Sequence, residues 1–364
     1  MIQTDAFIVG GGPAGLAAAI ALRAKGLDVL VADASVPPID KACGEGLMPD
    51  ALVALQKLGV CLNHKQSATF HGICFLQNGA RVSAKFPEGQ GLGIRRSELH
   101  QALIERAGQA GVHLLWGTPV KSFSPNTAAL ADEEVSYRWL IGADGEHSRV
   151  RKWAGLDCTR VGLTGRRFGF RQRYHIEPWS QFVEVYWCKR GQIYVTPVGP
   201  REVSVAWLTR SAQYRLDHAL LEFPELRERL TSIATAERGA ISASRTLSGV
   251  YRDHTVLLGD ASGSVDAITG EGLRLCFEQS LALAEAISSN DLPAYQRAHR
   301  KLSRRPNFMA AQLLLLDRLP VLRRGVLRVL AAQPGLFSAQ LALHVGAPRD
   351  ILVTKRPIRS TTIL

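Results

Sequence analysis

Apolar residues run almost unbroken through Asp5–Gly10 and again through Asp28–Asp33, the pattern of strands buried on both faces in a parallel sheet. Between them, Pro13–Lys25 is rich in Ala and Leu and reads as a helix. Residues 34–49 hold three prolines and the string Lys41-Ala-Cys43-Gly-Glu-Gly46, and read as a loop. Pro49–Leu58 then predicts a short helix, Thr69–Leu76 and Ala80–Phe86 strands, and Gly89–Gly93 a glycine-rich connection. A helix follows to about Gly111, with Ser97 as its expected N-cap. Val112–Trp116, Val135–Ile141 and His254–Gly259 return to the apolar strand pattern.

The middle of the chain differs. Period-two alternation marks Phe168–Ile176, Phe182–Cys188, Gln192–Pro197 and Val203–Leu208, with one helix expected at Ala219–Ala234. A long helix is expected over Ala267–Ser288, and the chain reads as helical from Pro293 on. The fold class that follows is α/β. A Rossmann-type domain with a parallel sheet is assembled from residues 1–65, 92–155 and 252–290. A mainly antiparallel sheet is inserted from 66–91 and 156–251, and 291–364 form a helical, basic C-terminal region.

Composition narrows the classes. At 364 residues and 46% hydrophobic content, the chain can bury two modest cores. Its net charge is +12, and ten of those charges fall in 291–364, where thirteen Lys or Arg face three acids. The rest is nearly neutral, so a local basic face is expected and not a nucleic-acid-binding surface. The six cysteines are scattered (43, 61, 74, 158, 188 and 276) with no C-x-x-C pair, and no His cluster has metal-ligand spacing. No secretory leader precedes the first strand and no apolar run is long enough to cross a bilayer, so a reducing cytoplasm is expected.

Three motifs sit at the ends of the apolar strands. Gly10-Gly-Gly12-Pro13-Ala14-Gly15 has the G-x-G-x-x-G spacing between strand and helix, and Asp33 ends the next strand. Gly10 permits the tight turn, Gly12 lets a pyrophosphate approach the backbone, and Gly15 lets helix and strand pack closely. The helix N-terminus offers N–H groups to phosphate. Leu140-Ile-Gly-Ala-Asp144-Gly145 and Leu258-Gly259-Asp260-Ala261 repeat the strand-then-acid arrangement, and the second leads into Gly270-Glu271-Gly272-Leu273. Each acid is also a natural helix cap.

In this order and spacing, with Arg96-Ser-Glu-Leu99 between them, the motifs resemble those of FAD-dependent oxidoreductases with a p-hydroxybenzoate-hydroxylase-like fold, over about residues 1–290. The resemblance implies that Gly10, Gly12 and Gly15, with Pro13 and Ala14 in the same turn, hold the FAD pyrophosphate. It places Asp33 on the adenosine ribose, and Arg96, in preference to Arg95, on the pyrophosphate or ribityl region. It also places Asp144 and Gly145 near the pyrophosphate and a passing NADH or NADPH, Gly259 and Asp260 on the ribityl chain, and Gly270–Leu273 at the flavin N1–C2=O edge. No metal is implied.

Members of this group do different chemistry on one scaffold. The first expectation is monooxygenation, a hydroxylation or epoxidation of a lipophilic or aromatic small molecule with NAD(P)H and O2. Where such hydroxylases carry a His and then a Pro after Gly-Asp-Ala, this chain has Gly263 and Asp266-Ala267. The Cys43-Gly-Glu-Gly and Thr269-Gly-Glu-Gly-Leu273 stretches are more similar to the geranylgeranyl-reductase-like branch, which gives a second expectation: saturation of isoprenoid or conjugated double bonds. A flavoprotein that modifies a side chain of a partner protein is a third. Tryptophan-halogenase signatures are missing.

Candidate substrate-facing groups are Cys43, Tyr174 and Tyr194. Alternation puts Phe168, Phe170, Gln172 and Tyr174 on one face of their strand and Arg171, Arg173 and His175 on the other. The aromatic face would cover a substrate or form sheet core. The Leu-rich C-terminal stretches with Arg323, Arg324 and Arg328 would pack on the inserted sheet or lie peripherally on an anionic membrane.

Overall fold

The computed structural model describes residues 1–345 apart from 132 and 158, and over 159–165 the backbone alone. Cys158 and the basic residues Arg349, Lys355, Arg356 and Arg359 lie outside the described residues.

Five strands form a parallel sheet in the order Thr255–Leu257, Glu134–Gly142, Ile2–Val9, Val29–Ala32, His113–Leu115, with Tyr251–Arg252 antiparallel at one edge. The unbroken apolar runs are explained by layers on both faces. Helices α1 (Pro13–Arg23), α2 (Pro49–Lys57) and α3 (Arg96–Gln109) contribute to a core on one face, and α4 (Arg149–Trp153) to a core on the other. The Ala-rich sequence of α1 lets it lie deep: its residues 15–22 are all buried.

The second sheet has seven strands in the order Arg238–Leu247, Thr159–Tyr174, Glu202–Thr209, Gly191–Gly199, Val183–Trp187, Gly72–Gln77, Ala80–Lys85. Helices α5 (Leu216–Leu220) and α6 (Pro224–Arg229) cover its outer face. The chain then rejoins the first layer in α7 (Gly272–Ser288), which packs on α1 and α2, and continues into α8 (Leu292–Arg318). Finally α9 (Pro320–Ala332) and α10 (Pro334–Val345) pack on the strand Ala80–Lys85.

Four local expectations are corrected. Thr69–Leu76 is two strands in two sheets, Ala68–Phe70 in a small one with Gly91–Gly93 and Gly46–Leu47, and Gly72–Gln77 in the large one. They part at Gly72, where a Cβ would lie 1.9 Å from Ala84 O. The expected helix at Ala219–Ala234 is two short helices because Pro224 starts afresh after Phe223. The helix expected from Ala267 begins only at Gly272, after Gly270 turns the chain through a left-handed φ of 69°. Ser97 lies inside the first turn of α3 and is not its cap.

The alternation expected in Phe168–Ile176 is real, but over Phe168–Tyr174 both faces are buried or half-buried. Phe170 and Tyr174 join the outer core with Leu216, Leu220 and Leu226, while Arg167, Arg171 and Arg173 point inward to acids. The aromatic face is therefore sheet core. Tyr174 donates to Gln172 Oε1 at 2.9 Å and does not line the central cleft.

Arg167, 1% exposed, donates to Asp317 Oδ2 at 3.0 Å and to Gln192 Oε1 at 2.8 Å, and its Nε lies 3.7 Å from Asp266. Arg210 and Gln192 also donate to Asp317. Burial opposes the Asp317 charge, but Arg167 and Arg210 hold the carboxyl below its ordinary range. Removing one partner of a buried pair strands the other charge, at about 3–5 kcal/mol. Asp317→Ala is expected to cost that much in urea denaturation. A loss within ~1 kcal/mol, the scale of an exposed pair, would show that Arg167 does not depend on it.

Candidate active site

The two sheets enclose a cleft of about 790 Å³ at the carboxyl ends of the parallel strands. Gly10, Gly12, Pro13, Ala14, Asp33, Cys43, Arg96, Asp144, Gly145, Tyr194, Gly259, Asp260 and Gly270 through Leu273 all line it. The three acids expected at strand ends share one crevice. Gly15 does not face the cleft. A Cβ there would lie 1.8 Å from Gly10 O, so its role is the close approach of α1 to the turn.

The walls suit a dinucleotide. A Cβ on Gly12 would meet no atom within 4 Å, so the backbone there is open to the cleft. Neither α1 nor α7 has a side-chain N-cap, which leaves first-turn N–H groups for an anion. Asp260 lies open to the cleft, and its carboxylate takes no hydrogen bond from the described residues. Burial raises its pKa, while Arg96 and Lys41 pull it down. Arg96 lines the cleft and has a buried Nε without a partner among the described residues, whereas Arg95 does not line it and pairs with Glu98 and Glu202.

Two of the acids already hold the scaffold. Asp33 accepts from Gly11 N at 2.7 Å and Ser35 N at 2.7 Å, fixing the glycine turn and the loop after the strand. Asp144 accepts from Ser148 Oγ, Arg149 N at 2.7 Å and Val150 N at 3.1 Å, so it caps α4 while lining the cleft.

The sequence reading missed Glu45 and His100. Glu45 is buried with a left-handed φ of 59°. Its Oε1 accepts from Arg96 N at 2.8 Å, capping α3 from 51 residues away, and its Oε2 accepts from Arg173 Nε at 3.0 Å. Arg171 pairs with Asp40 at 2.5 Å beside it. His100 Nε2 meets Gly11 O at 2.8 Å, and its Nδ1 accepts from Ile39 N at 3.4 Å. Burial lowers its pKa, so a neutral ring with Nε2–H donating satisfies both contacts. The only local signal was a buried-type loop with an acid between glycines, because every partner is distant in sequence.

A second cavity of about 110 Å³ adjoins the cleft, and Gly44, Gly46, Tyr194 and Gly270 line both. Its other walls include Phe75, Trp187, Ile268, Leu313, Phe337 and Leu341. Tyr194 donates its hydroxyl to Ile268 O at 3.0 Å, and burial raises its pKa, so it stays a neutral part of this wall. Cys43 accepts a long contact from Glu45 N at 3.4 Å in the loop above.

Beneath the Gly270 turn three carboxylates share two guanidiniums. Arg274 pairs with Glu271, Glu278 and, at 3.4 Å, Asp50, and Arg305 reaches Asp50 at 2.9 Å. Burial, then Glu271, raises Asp50 to about 7, and burial raises Glu278.

A flavin-bearing oxidoreductase is what this fold and cleft define: a parallel dinucleotide sheet, uncapped helix ends at two points, and a second sheet closing over them. The chain belongs to the FAD binding domain family, whose match runs over residues 3–289. It is 28% identical to a menaquinone reductase of Mycolicibacterium smegmatis, over 81% of this chain and 79% of that one. It is 26% identical to a digeranylgeranylglycerophospholipid reductase of Methanosarcina mazei, over 79% and 77%. A flavoprotein/dehydrogenase structure from Cytophaga hutchinsonii shares the fold, with TM-score 0.81, 16% identity, and 94% and 92% of the two chains covered. The protein is thus an FAD-dependent oxidoreductase.

Two outcomes follow. Gly12→Val is expected to leave thermal unfolding of the FAD-free protein unchanged while weakening FAD ~10-fold or more, roughly one charge-assisted hydrogen bond. Unaltered FAD affinity by fluorescence titration would remove this turn from the cofactor site. For Asp50, a folded pKa raised from 3.8 to about 7 means that its contribution to stability is full below 3.8 and lost as pH rises through 7. Asp50→Asn should flatten the fall in stability between pH 4 and 8. An equally steep fall in the variant would place the proton elsewhere.

Proposed function

We propose that the chain uses FAD to saturate a carbon–carbon double bond in a lipophilic polyprenyl substrate. The apolar cavity behind the Gly270 turn carries this reading. It offers Phe75, Trp187, Leu313, Phe337 and Leu341 to a hydrocarbon chain at the point where the cleft ends. Its relatives named as reductases of menaquinone and of digeranylgeranylglycerophospholipid support it. Monooxygenation, the first expectation, gains no such support. Where hydroxylases carry a proline, this chain has Asp266-Ala267, and Asp266 is buried, caps the turn at Ile268 N and lies beside Arg167.

Bound FAD, once reduced by NAD(P)H or another two-electron donor, supplies the hydride equivalent for such a reaction. Saturation also consumes a proton, and one pair of side chains is placed to pass it. His344 lines the apolar cavity, and its Nε2–H donates to Thr269 O at 3.2 Å. Its Nδ1 then presents a lone pair to Glu271 Oε1 at 3.6 Å, and neither atom has another partner among the described residues. Two lone pairs facing each other in a buried site are relieved by a proton between them. Burial lowers His344 below its ordinary pKa, which favours release of that proton. The carboxylate cluster of Asp50 and Glu278 behind Glu271 can refill it. Cys43 lines the cleft beside Glu45 and closes it from above.

The test is turnover with a polyprenyl quinone or polyprenyl phospholipid, run in air with oxygen consumption followed and again anaerobically. The expected product is heavier by two hydrogens for each bond reduced, with no oxygen uptake. A product heavier by one oxygen, with matching oxygen consumption, would make the enzyme a monooxygenase. His344→Gln should leave flavin bleaching by NAD(P)H unchanged. It should slow reoxidation by substrate by ~10²-fold, the scale of a lost general acid. Equal reoxidation rates and an unmoved pH profile would exclude the pair as the proton source.

A further inference from the structure

We infer that α9 and α10 dock this protein on an anionic membrane surface. The inference stands apart from the chemistry proposed above. The two helices meet at a bend of 107°. Their inner faces, Leu327, Leu330, Phe337 and Leu341, are buried in a core with Phe75 and Val82. Their outer faces carry exposed aliphatic side chains too. Val321 is 74% exposed, Leu343 65% and Val329 52%, and Leu319, Leu322 and Leu336 are also exposed. An aliphatic patch of this kind on a solvent-facing corner marks an interaction site.

Charge chooses the occupant. Between Asp317 and Asp350 the chain has no acid, and Asp317 is buried among arginines. Arg324 and Arg328 are exposed beside the apolar side chains. Arg323 is not available, which corrects the sequence expectation. It is 2% exposed, donates to Cys188 O at 3.2 Å and lies over the Trp187 ring. A two-fold contact made through these helices would bring arginine against arginine, with no acid of their own segment to pair. Residues 346–364 carry Arg349, Lys355, Arg356 and Arg359 against Asp350 alone, so as a cover they would repel the patch. An anionic leaflet satisfies both features: it solvates the aliphatic side chains and attracts the arginines. Leu313, Phe337 and Leu341 of α8 and α10 line the apolar cavity from the inside. The proposed membrane face and the cavity are thus separated by one layer of helix.

The full-length FAD-bound protein should float with phosphatidylcholine vesicles containing phosphatidylglycerol. It should bind pure phosphatidylcholine vesicles much less, and should be released by salt. Arg324→Glu with Arg328→Glu should weaken binding by about fivefold or more per arginine. Val321→Gln with Leu343→Gln should weaken it on both kinds of vesicle. Thermal unfolding and flavin reduction by NAD(P)H should be unchanged in each variant. No flotation of the parent protein on anionic vesicles would overturn the inference. So would flotation indifferent to both pairs of substitutions. A dimer in light scattering that these substitutions dissolve would instead assign the face to a second copy.

Discussion

The buried carboxylate of Glu45 is the contact on which the two layers depend. It belongs to the loop that follows the second strand, yet it caps α3 of the dinucleotide layer and pairs with Arg173 of the inserted sheet. Ile94 N donates to its backbone oxygen at 2.9 Å, so main chain and side chain are both held. A left-handed φ at a non-glycine residue costs free energy, and the contacts around Glu45 over-determine it. Were this carboxylate absent, Arg173 would face only the half-buried Asp40 and Glu202 at 3.6 and 4.0 Å and the N-terminus of α3 would lose its cap. The cleft exists because these two layers are clasped at that depth.

The same logic explains why the long strand Thr159–Tyr174 carries arginines inward. Buried ion pairs are weak contributors to net stability, since desolvation offsets most of the attraction. They are strong constraints on register. A one-residue slip would turn Phe168, Phe170 and Tyr174 toward Asp40, Glu45 and Asp317, and send three arginines into the apolar layer under α5 and α6. Arg167, Arg171 and Arg173 each have a different acid, so the strand has one position in which all are paired. That position sets which residues face the cleft.

The parallel layer was legible because its signals are local. Unbroken apolar runs, a glycine spacing, and an acid after a strand each lie within a few residues, and all their cleft-facing members meet in one crevice. The strand-rich middle was legible for the same reason, through alternation. Glu45, His100 and the Arg274 cluster were not, because each acts through partners that only the fold brings near: Glu45 to Arg173 spans 128 residues, His100 to Gly11 89. Alternation also told that the strand has two faces without telling which face is wet, and here neither is. Arg323 illustrates the limit for charge. A basic residue in a basic run reads as solvated, and this one stacks on Trp187 because its helix turns it inward.

The turn from Asp266 to Gly272 ties these layers to one another. Asp266 lies beside Arg167 of the register-setting strand. The carbonyl of Ile268 takes Tyr194 from the neighbouring strand, and the carbonyl of Thr269 takes His344 from the last helix. Gly270 then reverses the chain so that α7 starts with uncapped N–H groups at the cleft. The cleft and the apolar cavity thereby share a wall one turn thick. Such a wall lets a positive helix end face the cleft, where it favours an anion, while its opposite side is lined by apolar side chains. Because α8 and α10 supply the far side of that cavity, the C-terminal helices close the space that adjoins the cleft the glycine motifs begin.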